Sequence, residues 1–153
     1  MPRLVIFAAC EKVIIGQGDN SLSLIGILHS LQLNVPMETG RPEIPESAVM
    51  PVTWSMFTMW QREPQDEGIS YTQRVSLLSP QGKPLVESIT PFEMEKDFHR
   101  ISNTIVGFPI GADGAHVLKL SIRRAASDVW DDVSTFPINI THPSSVRSSS
   151  LLH

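Results

Sequence analysis

Residues 70–89 read SYTQRVSLLSPQGKPLVESI, and this stretch decides the fold. Two segments of strand length, Ser70–Leu78 and Pro84–Ile89, flank the tetrapeptide Ser-Pro-Gln-Gly at 79–82. Proline at the second position of a turn and glycine at the fourth are typical of a type I turn. The stretch therefore predicts an antiparallel β-hairpin.

Similar segments lie on both sides of this hairpin, with apolar side chains at every second residue and with turn residues between them. No segment keeps a helical period, and twelve prolines argue against long helices. A loop with three prolines, Pro36–Pro45, is expected to cross between sheets. The remaining candidate strands are Leu4–Ala9, Val13–Ile15, Leu24–Val35, Val49–Trp60, Phe92–Phe98, Ile101–Phe108, His116–Ile122 and Val129–Ile140.

This pattern predicts an all-β fold, an antiparallel β-sandwich of about eight to nine strands, immunoglobulin-like or C2-like. A β-barrel is the alternative, because strand number alone does not distinguish a closed barrel from two packed sheets. We expect a single domain over residues 1–141. The serine-rich segment 142–153 is expected to be a flexible tail, because it has no apolar face to bury.

Composition limits the class of protein. The chain has 153 residues, 41% of them apolar, and a net charge of −4, with its lysines and arginines dispersed along the chain rather than clustered. Nucleic-acid binders usually carry a clustered basic stripe, so no nucleic-acid partner is expected. No run approaches the ~20 apolar residues that span a bilayer. One cysteine excludes an internal disulfide, and we expect a cytoplasmic protein without a cofactor.

The alternation also predicts which side chains form the core. In Leu24–Val35 the phase that contains Ile25, Ile27 and His29 is expected to face inward. Cys10 ends an apolar strand and is expected to be an inert core residue rather than a nucleophile. His29 and His116 lie in phase with apolar residues, so each is expected to pack inside with one ring nitrogen bonded to the backbone. A shared metal is the alternative, but zinc usually needs three or four ligands.

Acidic residues form two clusters. The first, Glu63, Asp66 and Glu67, lies in one predicted loop. The second, Asp128, Asp131 and Asp132, could be joined by Asp113 in a calcium site of the C2 type, because calcium takes six to eight oxygen ligands. The alternative is that these carboxylates are simply solvated at the ends of hairpins.

The densest aromatic stretch lies in Val49–Trp60. Trp54 and Trp60 share one face of the predicted strand, while Phe57 and Met59 share the other. One face must be core, and the other is either covered by a neighbouring element or exposed to a partner. Phe57, Met59 and Trp60 are the candidate partner-binding residues.

Three motifs carry a resemblance to a known family: Cys10–Val13 (CEKV), Asn20–Ile27 (NSLSLIGI) and Trp54–Arg62. Together with the hairpin and Gly107–Leu120, they resemble small bacterial and phage-associated proteins whose domain has no assigned function. The resemblance implies an immunoglobulin-like or C2-like β-sandwich and implies no activity. A fold alone does not establish a function.

The chain offers no linear catalytic motif, so the sequence favours a non-enzymatic interaction module over an enzyme. Such a module binds a protein partner or forms a homo-oligomer. The alternatives are a ligand-binding or enzymatic site built from loops, and a calcium-binding adaptor of the C2 type.

Overall fold

Nine strands form the fold in the computed structural model, which describes residues 1–33 and 44–142. The predicted tail beyond His142 and most of the predicted loop Pro36–Pro45 lie outside the described residues. In the described part, the one helical segment is a 3-10 turn at Pro64–Asp66. The strands are β1 (Arg3–Ile15), β2 (Leu22–Ile27), β3 (Ser30–Gln32), β4 (Val49–Gln61), β5 (Ser70–Leu78), β6 (Pro84–Glu93), β7 (Phe98–Pro109), β8 (Gly114–Arg124) and β9 (Asp131–Thr141).

The strands form two sheets, in the orders β2-β1-β4-β7 and β3-β9-β8-β5-β6. Every pairing is antiparallel except that of the short β3 with β9, which is parallel. The β5–β6 hairpin forms as predicted, and the Gly82 amide donates to the Ser79 carbonyl at 2.8 Å. The prediction of an all-β sandwich is therefore confirmed.

The core lies between the sheets and is formed by alternate residues of the central strands. On β4, Trp54, Met56 and Trp60 are buried and point toward the five-stranded sheet. The Trp54 indole N–H donates to the Gly107 carbonyl at 2.9 Å, so its polar atom is satisfied inside the core. The buried face of β4 predicted from its alternation is therefore present.

A buried glutamine ties the two sheets together. The Gln73 Oε1 on β5 accepts hydrogen bonds from the Thr58 hydroxyl at 2.8 Å and from the Trp60 indole N–H at 2.9 Å, both on β4. Neutral hydrogen bonds of this kind contribute about 1 kcal/mol each and fix the relative position of the groups they join.

The predicted strand Leu24–Val35 is wrong as a single element. β2 ends at Ile27 and β3 begins at Ser30, so the chain passes from one sheet to the other at residues 28–29. Leu28 is buried, whereas Ile25, Ile27 and His29 are exposed, which reverses the expected core face. Apolar residues occupy both alternating sets of positions in this segment. The set that faces inward changes where the chain passes from one sheet to the other.

The predicted strand Phe92–Phe98 is also wrong. It spans the end of β6, a turn, and the first residue of β7. Arg62 holds this turn, with its guanidinium donating to the Glu95 carbonyl and to the Asp97 carboxylate, both at 3.0 Å. Three consecutive charged residues at 95–97 favour this solvent-facing reversal, although the alternation in the sequence continued through it.

Candidate functional site

Strand β1 changes its pairing partner at Cys10. Up to this residue it pairs with β4, where Ile6 lies opposite Met59 and Cys10 lies opposite Ser55. From Cys10 to Ile15 it pairs with β2 instead. Residues 10–27 therefore form a two-stranded hairpin that separates from β4, which we call the hairpin 10–27.

The tip of the hairpin 10–27 lies against the outer face of the four-stranded sheet. The Arg100 guanidinium on β7 donates to the Asn20 backbone carbonyl at 2.9 Å and to its side-chain oxygen at 3.4 Å. Arg100 is opposite Met59, and Met59 is opposite Ile6. Arg100 and the tip that it holds are therefore level with Ile6. The hairpin begins later in β1, at Cys10, so it must turn back over the sheet for its tip to reach the level of Ile6.

Side chains on the outer face of this sheet are buried although they lie outside the core between the two sheets. Phe57 is only 1% exposed, and Ala8 and Cys10 are buried beside it. We infer that the hairpin 10–27 covers these side chains, because Arg100 holds its tip on the same face of the sheet. Desolvation raises the pKa of the Cys10 thiol, against a smaller lowering by the Lys12 backbone amide. A neutral, buried thiol is a poor nucleophile.

The sequence-predicted partner surface is consequently not at the surface. Phe57 and Trp60 are both buried, the first under the hairpin and the second in the core, while Met59 is partly buried. Phe57, at 1% exposure, is therefore not available to a partner in the described chain, whereas Met59 stays partly exposed.

Several exposed apolar residues lie on the hairpin itself. Ile14 is 39% exposed, Ile25 46% and Ile27 43%. Among the described residues β2 pairs with β1 alone, so its other edge is unpaired. The six residues of β2, LSLIGI, include no charge. Sequence reasoning noticed these isoleucines but assigned them to the core.

The edge strand β6 of the five-stranded sheet has a different character. β6 contains Pro84 and Pro91, which lack amide donors, and the charged residues Glu87 and Glu93. Prolines and charges are the usual features that keep an edge strand from pairing with another chain. β2 has neither.

The predicted calcium site does not assemble. Asp113 precedes β8 and Asp128 follows it, and a strand of eleven residues separates its ends by about 35 Å. Asp132 accepts from the Ser121 hydroxyl at 3.0 Å and pairs with Lys119 at 3.2 Å. In residues 1–33 and 44–142, no group of three or more acidic, histidine or cysteine side chains could hold a metal ion. The site that joins Asp113 to Asp128, Asp131 and Asp132 is therefore a wrong prediction.

In the first acidic cluster, Asp66 is a buried structural residue. Its carboxylate accepts from the Tyr71 hydroxyl at 2.5 Å and from the Glu63 amide at 2.8 Å. Burial acts to raise the pKa of Asp66, but these hydrogen bonds, together with the Met1 ammonium group 3.4 Å away, outweigh it and the pKa is lowered. Burial and the same hydrogen bond raise the pKa of Tyr71 to about 12. Asp66 thus closes the 3-10 turn beside β5.

His116 packs inside the sandwich as expected. Its Nδ1 lies 3.2 Å from the Gly114 carbonyl, and its ring is fully buried. Desolvation lowers the pKa of His116, and His142 lowers it further, while the Gly114 carbonyl and Asp113 act in the opposite direction. His29, in contrast, is exposed between β2 and β3.

A shallow depression of about 540 Å³ lies between the tip of the hairpin 10–27 and the β6–β7 turn. Glu95, His99 and Arg100 are among the residues that line it. Burial lowers the pKa of His99, partly offset by the negative charge of Glu95. Arg100 already holds Asn20 here, so the depression is occupied in part by a structural contact.

Comparison with other proteins does not assign the chain to a family. No protein-family model and no curated protein matches the chain. The resemblance to small bacterial and phage-associated proteins stays a prediction. Within the part of the chain that the structure describes, no helix is long and apolar enough to cross a membrane.

Proposed function

We propose that this domain is a non-enzymatic interaction module that self-associates by pairing its β2 strand with β2 of a second copy. The observation that carries the proposal is the unpaired edge of β2 with exposed Ile25 and Ile27 beside it. Unpaired backbone amides and carbonyls along a strand edge are a template for another strand.

The contrast between the edge strands β2 and β6 supports the choice of surface. β6 carries prolines and glutamates, whereas β2 is uncharged and apolar. Adding a strand to a sheet satisfies the backbone groups, and side chains next to the new pair supply the specificity. The exposed isoleucines give β2 apolar area to bury at the same time.

The uncharged sequence of β2 also supports a second copy as the partner. A two-fold axis perpendicular to the sheet makes the two strands antiparallel and keeps the exposed side chains of both copies on one face. Ile25 then packs against Ile25 or Ile27 of the second copy. No like charges within β2 oppose each other across such a pair.

Light scattering coupled to size-exclusion chromatography tests the proposal over micromolar to millimolar concentrations. The wild-type chain is expected to form a dimer, and Ile25→Lys is expected to be a folded monomer, because lysine on an edge strand blocks pairing. Ile89→Lys is the matched control, since Ile89 is 54% exposed on the edge strand β6. A wild-type monomer at the highest concentration, or a dimer that survives Ile25→Lys, would contradict self-association through β2.

A further inference from the structure

Two arginine guanidinium groups lie over one tryptophan ring beside the five-stranded sheet. The guanidinium carbon of Arg74 lies 4.3 Å from the centroid of the Trp130 ring, and that of Arg123 lies 4.6 Å from it. Arg74 is on β5 and Arg123 on the neighbouring β8, while Trp130 directly precedes β9. Three segments distant in sequence therefore build one feature, which we call the arginine stack.

Neither guanidinium has a hydrogen bond or an ion pair to any described residue. The Nε atom of Arg123 is buried without a partner. Buried polar groups are nearly always hydrogen-bonded, and an unsatisfied charged donor is costly. The arginine stack thus holds donors for which this part of the chain provides no acceptor.

Two of the nearby carboxylates are engaged elsewhere. Asp132 is held by Ser121 and Lys119, and Glu87 accepts from the Ser76 hydroxyl at 3.2 Å. The positive charge of Arg74 contributes to the lowered pKa of Asp132, after the larger contributions of Ser121 and Lys119. Arg74 nevertheless lies beyond ion-pair distance of that carboxylate.

We propose that the arginine stack is a binding site for an oxyanion, a carboxylate or a phosphate group. Stacking on an indole face fixes the plane of a guanidinium and leaves its edge N–H groups free. That edge matches two oxygens of a carboxylate or a phosphate and binds them with charge-assisted hydrogen bonds. Because both side chains are already held against Trp130, little side-chain entropy is lost on binding.

The fluorescence of Trp130 provides a direct test. Trp54 and Trp60 are buried in the core, while Trp130 is partly exposed, so a ligand at the arginine stack changes the signal of Trp130. The probes are inorganic phosphate and succinate, each titrated at an ionic strength held constant with sodium chloride. A saturable change with phosphate alone assigns a phosphate site, and one with succinate alone assigns a carboxylate site. Trp130→Phe, which retains an aromatic ring, verifies the source of the signal.

Two variants locate the binding. Arg74→Gln and Arg123→Gln are each expected to weaken binding about tenfold or more, the loss expected for a charge-assisted hydrogen bond. Arg3→Gln is the matched control, because Arg3 is an exposed arginine on the four-stranded sheet. The absence of a saturable change with either probe would overturn the proposal, as would equal affinity in Arg74→Gln. The Ile25→Lys chain gives the same result if the site is independent of β2 pairing.

Discussion

The outer side of the hairpin 10–27 and the outer face of β5 and β8 are both directed away from the core, yet they differ in chemistry. The first presents isoleucines beside an unpaired strand edge, whereas the second presents the partly exposed arginines Arg74 and Arg123 on strands paired on both sides. A strand within a sheet has its backbone satisfied and leaves only side chains for recognition. An edge strand offers unpaired backbone groups and side chains together, so its exposed apolar residues contribute to binding another strand.

The largest expected effect comes from removing the contact between the hairpin and the sheet. Phe57→Ala is expected to lower the free energy of unfolding by about 3–5 kcal/mol, because it leaves a cavity under the hairpin 10–27. Chemical denaturation measures this loss. Phe98→Ala is the matched control on the same sheet, since Phe98 is exposed, and we expect a loss of about 1 kcal/mol or less. Equal losses in the two variants would mean that the hairpin does not cover Phe57.

Acid is expected to weaken the sheet that carries the arginine stack. The folded-state pKa of buried His116 is lowered, so the unfolded chain binds its proton first as the pH falls. The contribution of His116 is complete above its unfolded pKa of about 6.5 and is lost as the pH falls toward its folded value. Thermal unfolding at a series of pH values measures the effect. His116→Gln should flatten the profile, and His29→Gln, at an exposed position, should leave it unchanged.

The smallest expected effect concerns the tip of the hairpin. Arg100→Ala removes two hydrogen bonds to Asn20 and is expected to cost about 1 kcal/mol. Hydrogen exchange should be faster in β2 while exchange in β5 and β8 is unchanged. Lys12→Ala, which removes a charge from the same hairpin, is the control. Unchanged exchange in β2 after Arg100→Ala would show that the tip is held by other contacts.

Local sequence chemistry was sufficient for some elements. The β5–β6 hairpin was predictable because Pro80 and Gly82 occupy positions that a type I turn favours, and its strands keep one clear alternation. His116 and its strand were predictable because Leu118, Leu120 and Ile122 continue its phase, while Lys119, Ser121 and Arg123 occupy the other.

Other features depend on contacts between distant residues. β2 is apolar in both phases, so alternation alone did not tell which face is buried, and Ile25 was assigned to the core. The polar pair Glu11-Lys12 interrupts the apolar run where β1 changes partner, but the burial of Phe57 depends on residues distant in sequence and could not be predicted from this local signal. Arg74 and Trp130 meet only because β8 lies between β5 and β9, so their stacking could not be predicted from sequence spacing.

The parallel pairing of β3 with β9 has a consequence for synthesis on the ribosome. Ser30 lies opposite Asn139, so β3 gains its sheet partner only after nearly all of the described chain has been made. The β1–β2 hairpin, in contrast, joins neighbouring residues and can form early, as local contacts generally do. The nascent chain therefore presents the apolar β2 strand well before the second sheet can be completed, and during that interval the strand is exposed to wrong pairing and to chaperones.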